Sequence, residues 1–115
     1  MTWMLPEELR ALAETGDAAM VREVLSVFQS DTAVRIRNVA AALAQGDAAR
    51  VRSEAHAVKG SAAQVGALEV SDLSRKIEAA ALRLDLAEAA RLMPELETAF
   101  SSLSAEMSDS GRSGL

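Results

Sequence analysis

Residues 56–67 read His56-Ala57-Val58-Lys59-Gly60-Ser61-Ala62-Ala63-Gln64-Val65-Gly66-Ala67, and they contain the only histidine of the chain. At about 100° per residue, a helix places His56, Lys59 and Gly60 on one side. The opposite side carries small apolar residues, namely Val51, Ala55, Val58, Ala62 and Val65. Burial of that apolar side predicts that the imidazole points away from the core, with the lysine ammonium one turn away.

Gly60 indicates that another molecule comes close to this helix. A glycine inside an exposed helix costs about 1 kcal/mol relative to alanine, the residue with the highest helix propensity. A missing side chain one turn from an exposed histidine leaves room for the surface of another protein. The segment therefore predicts a docking surface around a nucleophilic imidazole, and Lys59 supplies a cation for a negatively charged phosphoryl group.

The composition predicts one all-α domain. The chain has 115 residues, of which 50% are hydrophobic and only 3% aromatic, with no tyrosine. This length suits a single core. Few aromatic residues and abundant alanine favour packed helices over a sheet.

Several classes of function are disfavoured by charge and residue content. A formal net charge of −5 disfavours binding to nucleic acid, which needs clustered Lys and Arg. The absence of cysteine and the single histidine disfavour disulfides and metal sites. No apolar run reaches the roughly 20 residues of a membrane span, and Met1–Pro6 lacks the layout of a signal peptide, so we expect a cytoplasmic protein.

The first half of the chain predicts three helices joined by short loops. Residues 6–14 form a short helix that ends at Gly16, and Trp3 packs on the end of the bundle. Asp17 caps a long second helix that ends at Gln45-Gly46, and Asp47 caps a third that stops near Gly66. The core stripe expected on the second helix is Met20, Val24, Val27 or Phe28, Ile36, Val39 and Leu43.

The second half predicts two more helices and a tail. Asp85 and Glu88 are spaced as a capping box for the fifth helix, and Pro94 should kink or split that helix. Residues 108–115 are expected to be a flexible tail, which leaves 1–107 as the folded domain. The core stripe expected on the fourth helix is Val70, Leu73, Ile77, Ala80 and Leu84.

The segment that begins at His56 closely resembles the signature of histidine phosphotransfer (HPt) domains. Three further parts look like the same family: the long helix from Asp17, the Leu43–Asp47 turn, and residues 73–78. The resemblance covers most of residues 6–104. It implies an antiparallel up-down four-helix bundle with a short extra N-terminal helix, acting as a phosphorelay intermediate in two-component signalling.

The resemblance also implies roles for particular residues. His56 would carry the phosphoryl group on Nε2, Lys59 would balance its charge, and Gly60 would leave room for a receiver domain. Ser61 matches the small polar position after that glycine. Glu78 falls where the family often places a Gln or Glu that orients the imidazole, and the alternative is a surface ion pair with Lys76 or Arg75.

The family picture implies a phosphoryl carrier and not an enzyme with its own kinase activity. The sequence contains no glycine-rich nucleotide loop for ATP. The expected partners are the receiver domains of hybrid histidine kinases and response regulators. Magnesium would belong to the receiver, so the chain, expected to be a monomer, needs no cofactor.

Two other functions stay open from the residues. The first is a binding module of the same fold that sequesters a receiver or kinase through the His56 face without phosphate transfer. The second is a hydrolase that uses His56 as a general base with Glu78. An exposed helix face offers neither oxyanion donors nor a closed pocket, which disfavours the hydrolase.

Overall fold

The structure is a computed structural model that describes residues 3–112, with side chains described to residue 109. A short helix, α1 (Glu7–Leu12), leads through a kinked turn (Ala13–Asp17) into the long helix α2 (Ala18–Ala44). Three helices follow: α3 (Ala48–Gln64), α4 (Leu68–Leu82) and α5 (Leu86–Arg112). Helices α2 to α5 form the predicted four-helix bundle, in which each helix packs on the next and α5 returns to α2.

The three reversals between these helices share one hydrogen-bond pattern, the Schellman motif. At the first, the amide of Asp47 donates to the carbonyl of Ala42 over 2.9 Å, and Gly46 has φ +68°. At the second, the amide of Ala67 donates to Ala62 over 2.8 Å, and Gly66 has φ +73°. Left-handed φ values suit glycine, which confirms the predicted ends of the second and third helices.

The core stripe predicted for α2 was wrong in its first half. Met20 and Val24 are exposed, and of the alternatives Val27 and Phe28 it is Phe28 that is buried. The buried residues of this helix are Val21, Leu25, Phe28, Thr32, Ile36, Val39 and Ala42. In the first half of the helix, the buried stripe therefore lies one residue, or about 100°, from the predicted one, whereas Ile36 and Val39 are buried as predicted. Leu43 packs against the core only partly buried, and Asp17 sits before α2 without a side-chain capping bond.

A second core prediction, that of Leu84 in the α4–α5 turn, was also wrong. Val70, Leu73, Ile77 and Ala80 are buried as predicted, but Leu84 is 76% exposed. It occupies the left-handed position of the third Schellman motif with φ +61°, where the other two turns have glycine. Leu84 therefore belongs to the turn and not to the helical stripe.

Helix α5 is continuous through Pro94 and longer than predicted. It runs from Leu86 to Arg112 through Pro94, so the proline does not split it. The helix also continues past Met107, where the folded domain was expected to end, and residues 113–115 lie outside the described part. Asp85 accepts from the amide of Glu88 over 3.1 Å, which is one half of the predicted capping box.

The N-terminal segment closes one end of the bundle. Trp3 is buried, and its indole Nε1 donates to the carbonyl of Val65 over 2.8 Å. Its backbone amide donates to the carboxylate of Glu106, so the segment joins the end of α3 to α5. Among residues 3–112, no helix combines the length and the apolar character needed to cross a membrane.

Candidate functional site

His56 lies on the outer side of α3 beside α4, as the sequence predicts. The apolar side of α3 is buried, because Val51, Ala55, Val58 and Ala62 all point into the bundle. The His56 side chain on the opposite side is 66% exposed. A hollow of about 330 Å³ borders the ring, and its walls are Arg52, Ser53 and Glu78.

One carboxylate, that of Glu78 on α4, contacts both His56 and Lys59. Oε2 of Glu78 lies 2.7 Å from Nδ1 of His56, and Oε1 lies 2.8 Å from Nζ of Lys59. Only 20% of the Glu78 side chain is exposed, so the carboxylate is held between the two helices. The structure therefore brings these three predicted site residues together.

The charge of Glu78 decides which ring nitrogen of His56 carries the proton. Burial on its own would raise the pKa of the Glu78 carboxyl, but the hydrogen bonds and charges of Lys59 and His56 outweigh burial and lower that pKa. Glu78 is thus ionised near neutral pH and can only accept hydrogen bonds. Its contact with Nδ1 assigns the proton to Nδ1, which leaves Nε2 of the neutral ring with a free lone pair.

Arg75 and Lys76, the alternative ion-pair partners of Glu78, bind a different carboxylate. Arg75 and Lys76 both contact Asp72, over 2.8 Å and 3.4 Å respectively. Lys76 and Arg75 are therefore paired within α4 itself, at a spacing of one helical turn. Glu78 instead faces across to α3.

Gly60 lies in open space on the exposed side of α3. A Cβ atom built on this residue would meet nothing within 4 Å, so the glycine is not required by a helix contact inside this chain. This finding removes the ordinary structural reason for a glycine in a helix, which is close packing. The open space is what docking of another molecule would use.

Ser61 lies apart from His56. It points toward α2 and lines an apolar groove of about 680 Å³ whose other walls include Met20, Val24 and Val27. The geometry of a helix puts Gly60 and Gln64 between the imidazole and this groove. The His56 face and the groove therefore form one continuous surface across α2 and α3.

The sequence does not identify the α2 residues of the groove as a surface, because their helical repeat predicts that they lie in the core. Met20 is 54% exposed and Val27 60%, and both lie on the face of α2 that borders α3. An apolar repeat identifies a helix side that avoids water, but it does not say whether the chain itself or a partner covers that side.

The part of the chain that the structure describes contains no group of three or more acidic, histidine or cysteine side chains that could hold a metal ion. Arg52 and Lys59 are the cations near the imidazole, at either side of it along α3. This arrangement of an exposed ring nitrogen, a fixed tautomer and adjacent cations can accept a phosphoryl group.

Comparison with known proteins gives the family. Residues 23–106 match the Hpt domain family. The fold is similar to the crystal structure of histidine-containing phosphotransfer protein B (HptB) from Pseudomonas aeruginosa PAO1, with a TM-score of 0.83, 28% sequence identity and coverage of 92% of each chain. No match is found among the curated proteins. Since the matched region spans most of the chain, including the exposed histidine and the carboxylate beside it, this protein belongs to the Hpt domain family.

Proposed function

We propose that this protein relays a phosphoryl group between Nε2 of His56 and aspartates on receiver domains of two-component signalling proteins. The observation that carries the proposal is the 2.7 Å contact between Nδ1 of His56 and the Glu78 carboxylate. That contact leaves Nε2 unprotonated, and the exposure of the ring lets a partner reach it.

Lys59 has the role of a counter-charge in this proposal. Its ammonium carries three N–H donors, of which one is used by Oε1 of Glu78. The remaining donors are available to the oxygens of a phosphoryl group on the neighbouring ring. A solvent-accessible ion pair between the ammonium and the phosphoryl group contributes about 1 kcal/mol or less. Such weak stabilisation suits a group that must be passed on.

A receiver domain is the partner that the surface supports best. The apolar groove between α2 and α3 gives it a docking area, and Gly60 lets its backbone approach the imidazole. Ser61 lies in the wall of this groove, so we propose that it contacts the partner and not the phosphoryl group.

The protein is a carrier in this scheme, since the transferred group comes from a phosphorylated receiver and not from ATP. Any magnesium needed for transfer is bound by the receiver, and this chain supplies no cofactor. We place the carrier in the cytoplasm as a monomer, where it meets the receiver domains of hybrid kinases and response regulators.

Transfer of label tests the proposal. Purified protein is incubated with phosphorylated receiver domains, and acid-labile, base-stable label is followed on the wild type and on His56→Gln. We expect label on the wild type alone, with equal helical content for both proteins by circular dichroism. Label that persists on His56→Gln would contradict the proposal.

The same experiment distinguishes phosphotransfer from a second candidate function, in which the protein sequesters a receiver without transfer. The groove supports this candidate as well, because it provides a docking surface whatever happens at His56. Receiver binding without any transfer to the wild type, and with unchanged affinity in His56→Gln, would favour sequestration.

A further inference from the structure

We propose that Glu78 makes the phosphoryl group on His56 short-lived, because its carboxylate keeps a proton on Nδ1 for as long as the group is bound to Nε2. This inference rests on the proposed function, and it adds a rate-setting role for one residue. Glu78 acts through the imidazole, so it is a positioning residue and does not itself touch the transferred group.

Both oxygens of the Glu78 carboxylate are engaged, one by the ring of His56 and one by Lys59. Oε2 faces Nδ1 at 2.7 Å, while Oε1 is held by the Lys59 ammonium at 2.8 Å. An ionised carboxylate has only lone pairs to offer, and lone pairs facing an unprotonated Nδ1 would repel it. The phosphorylated ring therefore retains the Nδ1 proton as an imidazolium. A glutamine at this position could instead turn its amide and donate to an unprotonated Nδ1.

Proton retention on Nδ1 determines how easily the phosphorus–nitrogen bond breaks. When a receiver aspartate attacks, an oxygen–phosphorus bond forms and the Nε2–phosphorus bond breaks. The electron pair of the broken bond stays on Nε2, and the ring leaves as a neutral imidazole that still carries its Nδ1 proton. No proton has to move. From a ring without that proton the leaving group would be an imidazolate, which is a far poorer leaving group unless a proton arrives during the step.

The charged groups beside the ring come from two helices. Glu78 lies on α4, whereas Arg52 and Lys59 lie on α3. Among the described residues, Glu78 is thus the carboxylate in direct contact with the imidazole, and its removal changes the charge at Nδ1.

The test measures how long phosphohistidine survives without any partner. Wild type, Glu78→Gln, Glu78→Asp and the control Glu69→Gln, an exposed carboxylate on the same helix, are loaded with phosphoramidate. In loading, Nε2 attacks phosphorus and ammonia leaves. After removal of the donor, the decay of phosphohistidine is followed by phosphorus NMR between about pH 6 and about pH 9.

We expect Glu78→Gln to decay about five-fold more slowly than wild type near neutral pH. The difference should widen as pH rises, because the ring of the glutamine variant loses its Nδ1 proton. Glu78→Asp keeps a carboxylate and should keep the shallow pH profile of wild type, and Glu69→Gln should match wild type. A merely structural role for Glu78 would change both position-78 variants in the same way at every pH.

Two outcomes would overturn the inference: identical decay of wild type and Glu78→Gln across the pH range, or the same altered profile in Glu78→Asp and Glu78→Gln. Failure of the proposed function would look different. In that case His56 of the wild type would take up no label from any phosphorylated receiver, whatever the decay rates of the chemically loaded proteins.

Discussion

The hydroxyl of Ser71 on α4 donates to the backbone carbonyl of Lys59 on α3 over 3.0 Å. This bond helps to hold the two helices together beside the histidine, and Glu78 faces His56 two turns further along α4. We expect Ser71→Ala to lower the free energy of unfolding by about 1 kcal/mol, the usual net value of one hydrogen bond. Urea unfolding measures the change.

The control for this substitution is Ser101→Ala, on the exposed side of α5, which should change stability by less than about 0.5 kcal/mol. If Ser71→Ala is as stable as this control, the bond does not contribute to the bundle. Because Glu78 also holds α4 to His56 and Lys59, labelling of the histidine should persist in both variants.

The apolar groove provides a second prediction, with substitutions at two adjacent faces of α2. Val27→Asn alters an exposed groove residue, so we expect stability within about 0.5 kcal/mol of wild type. Phosphotransfer from a receiver should fall about ten-fold, since a polar side chain replaces apolar contact area with the partner.

Val21→Asn is the matched control, because Val21 is fully buried. It should lower the free energy of unfolding by about 3 kcal/mol through lost packing and an unpaired amide. Unfolding curves and transfer rates measured on both variants give the comparison. Normal transfer to Val27→Asn would exclude the groove as the docking area.

Gly60→Ala should stabilise the protein and impair the relay. A methyl group at this site meets no atom of the chain, so the substitution gains about 0.5 to 1 kcal/mol of helix propensity. Transfer from a receiver should slow, whereas loading by the small donor phosphoramidate should not. Unchanged transfer from the receiver would mean that the receiver does not need the space left by the missing side chain of Gly60.

Gly46→Ala is the comparison for the stability part of this prediction, since a methyl group there also meets no atom. Its φ of +68° is unfavourable for alanine, so we expect this variant to lose about 1 kcal/mol. The two variants should therefore shift the urea midpoint in opposite directions.

The stability of the protein should depend on pH through Glu78. Burial alone would raise its pKa, but Lys59 and His56 outweigh burial and lower it below the usual 4.5. A lowered folded pKa contributes stability above the unfolded value, and this contribution is lost as pH falls through the folded value. The stability advantage of wild type over Glu78→Gln should thus be largest above about pH 5 and shrink toward about pH 3. Urea unfolding followed by circular dichroism across this range measures it, and a constant difference would contradict the expectation.

The sequence predicts the reversals of the chain well, because these depend on local chemistry. Gly46 and Gly66 lie at the left-handed ends of their helices, and Asp47 caps α3 by accepting from the amide of Arg50 over 3.1 Å. The position of His56 also followed from local pattern, since the apolar residues of α3 occupy a single side. At these places the residues that determine the geometry are within one turn of it.

The orientation of α2 could not be predicted in the same way. The helix has two apolar sides, one with Val21 and Leu25 and one with Met20 and Val24, and the two patterns differ by one residue. Thr32 lies in the core and interrupts the buried pattern, and its hydroxyl has no hydrogen-bond partner among the described residues. Only the packing of the other helices decides which side is covered.

Leu84 and Pro94 show the limits of residue preferences. Leu84 adopts a left-handed conformation that leucine disfavours, because the flanking bonds of the Schellman motif hold the turn. Pro94 stays inside α5, on the exposed side of the helix. Pro94 has no amide hydrogen to donate to the carbonyl of Ala90, which is itself an exposed residue. In both cases the surroundings outweigh a preference of about 1 to 3 kcal/mol.

Trp3 is an intrinsic fluorescence probe, because it is the only tryptophan of the chain. Its indole contacts the end of α3, and its backbone is bound by Glu106, so its fluorescence reports on the joining of the two ends of the chain. The backbone contact with Glu106 joins residues 103 positions apart in the sequence and should form late in refolding, after the local helical hairpins. The indole is anchored at Val65, about 13 Å along α3 from His56.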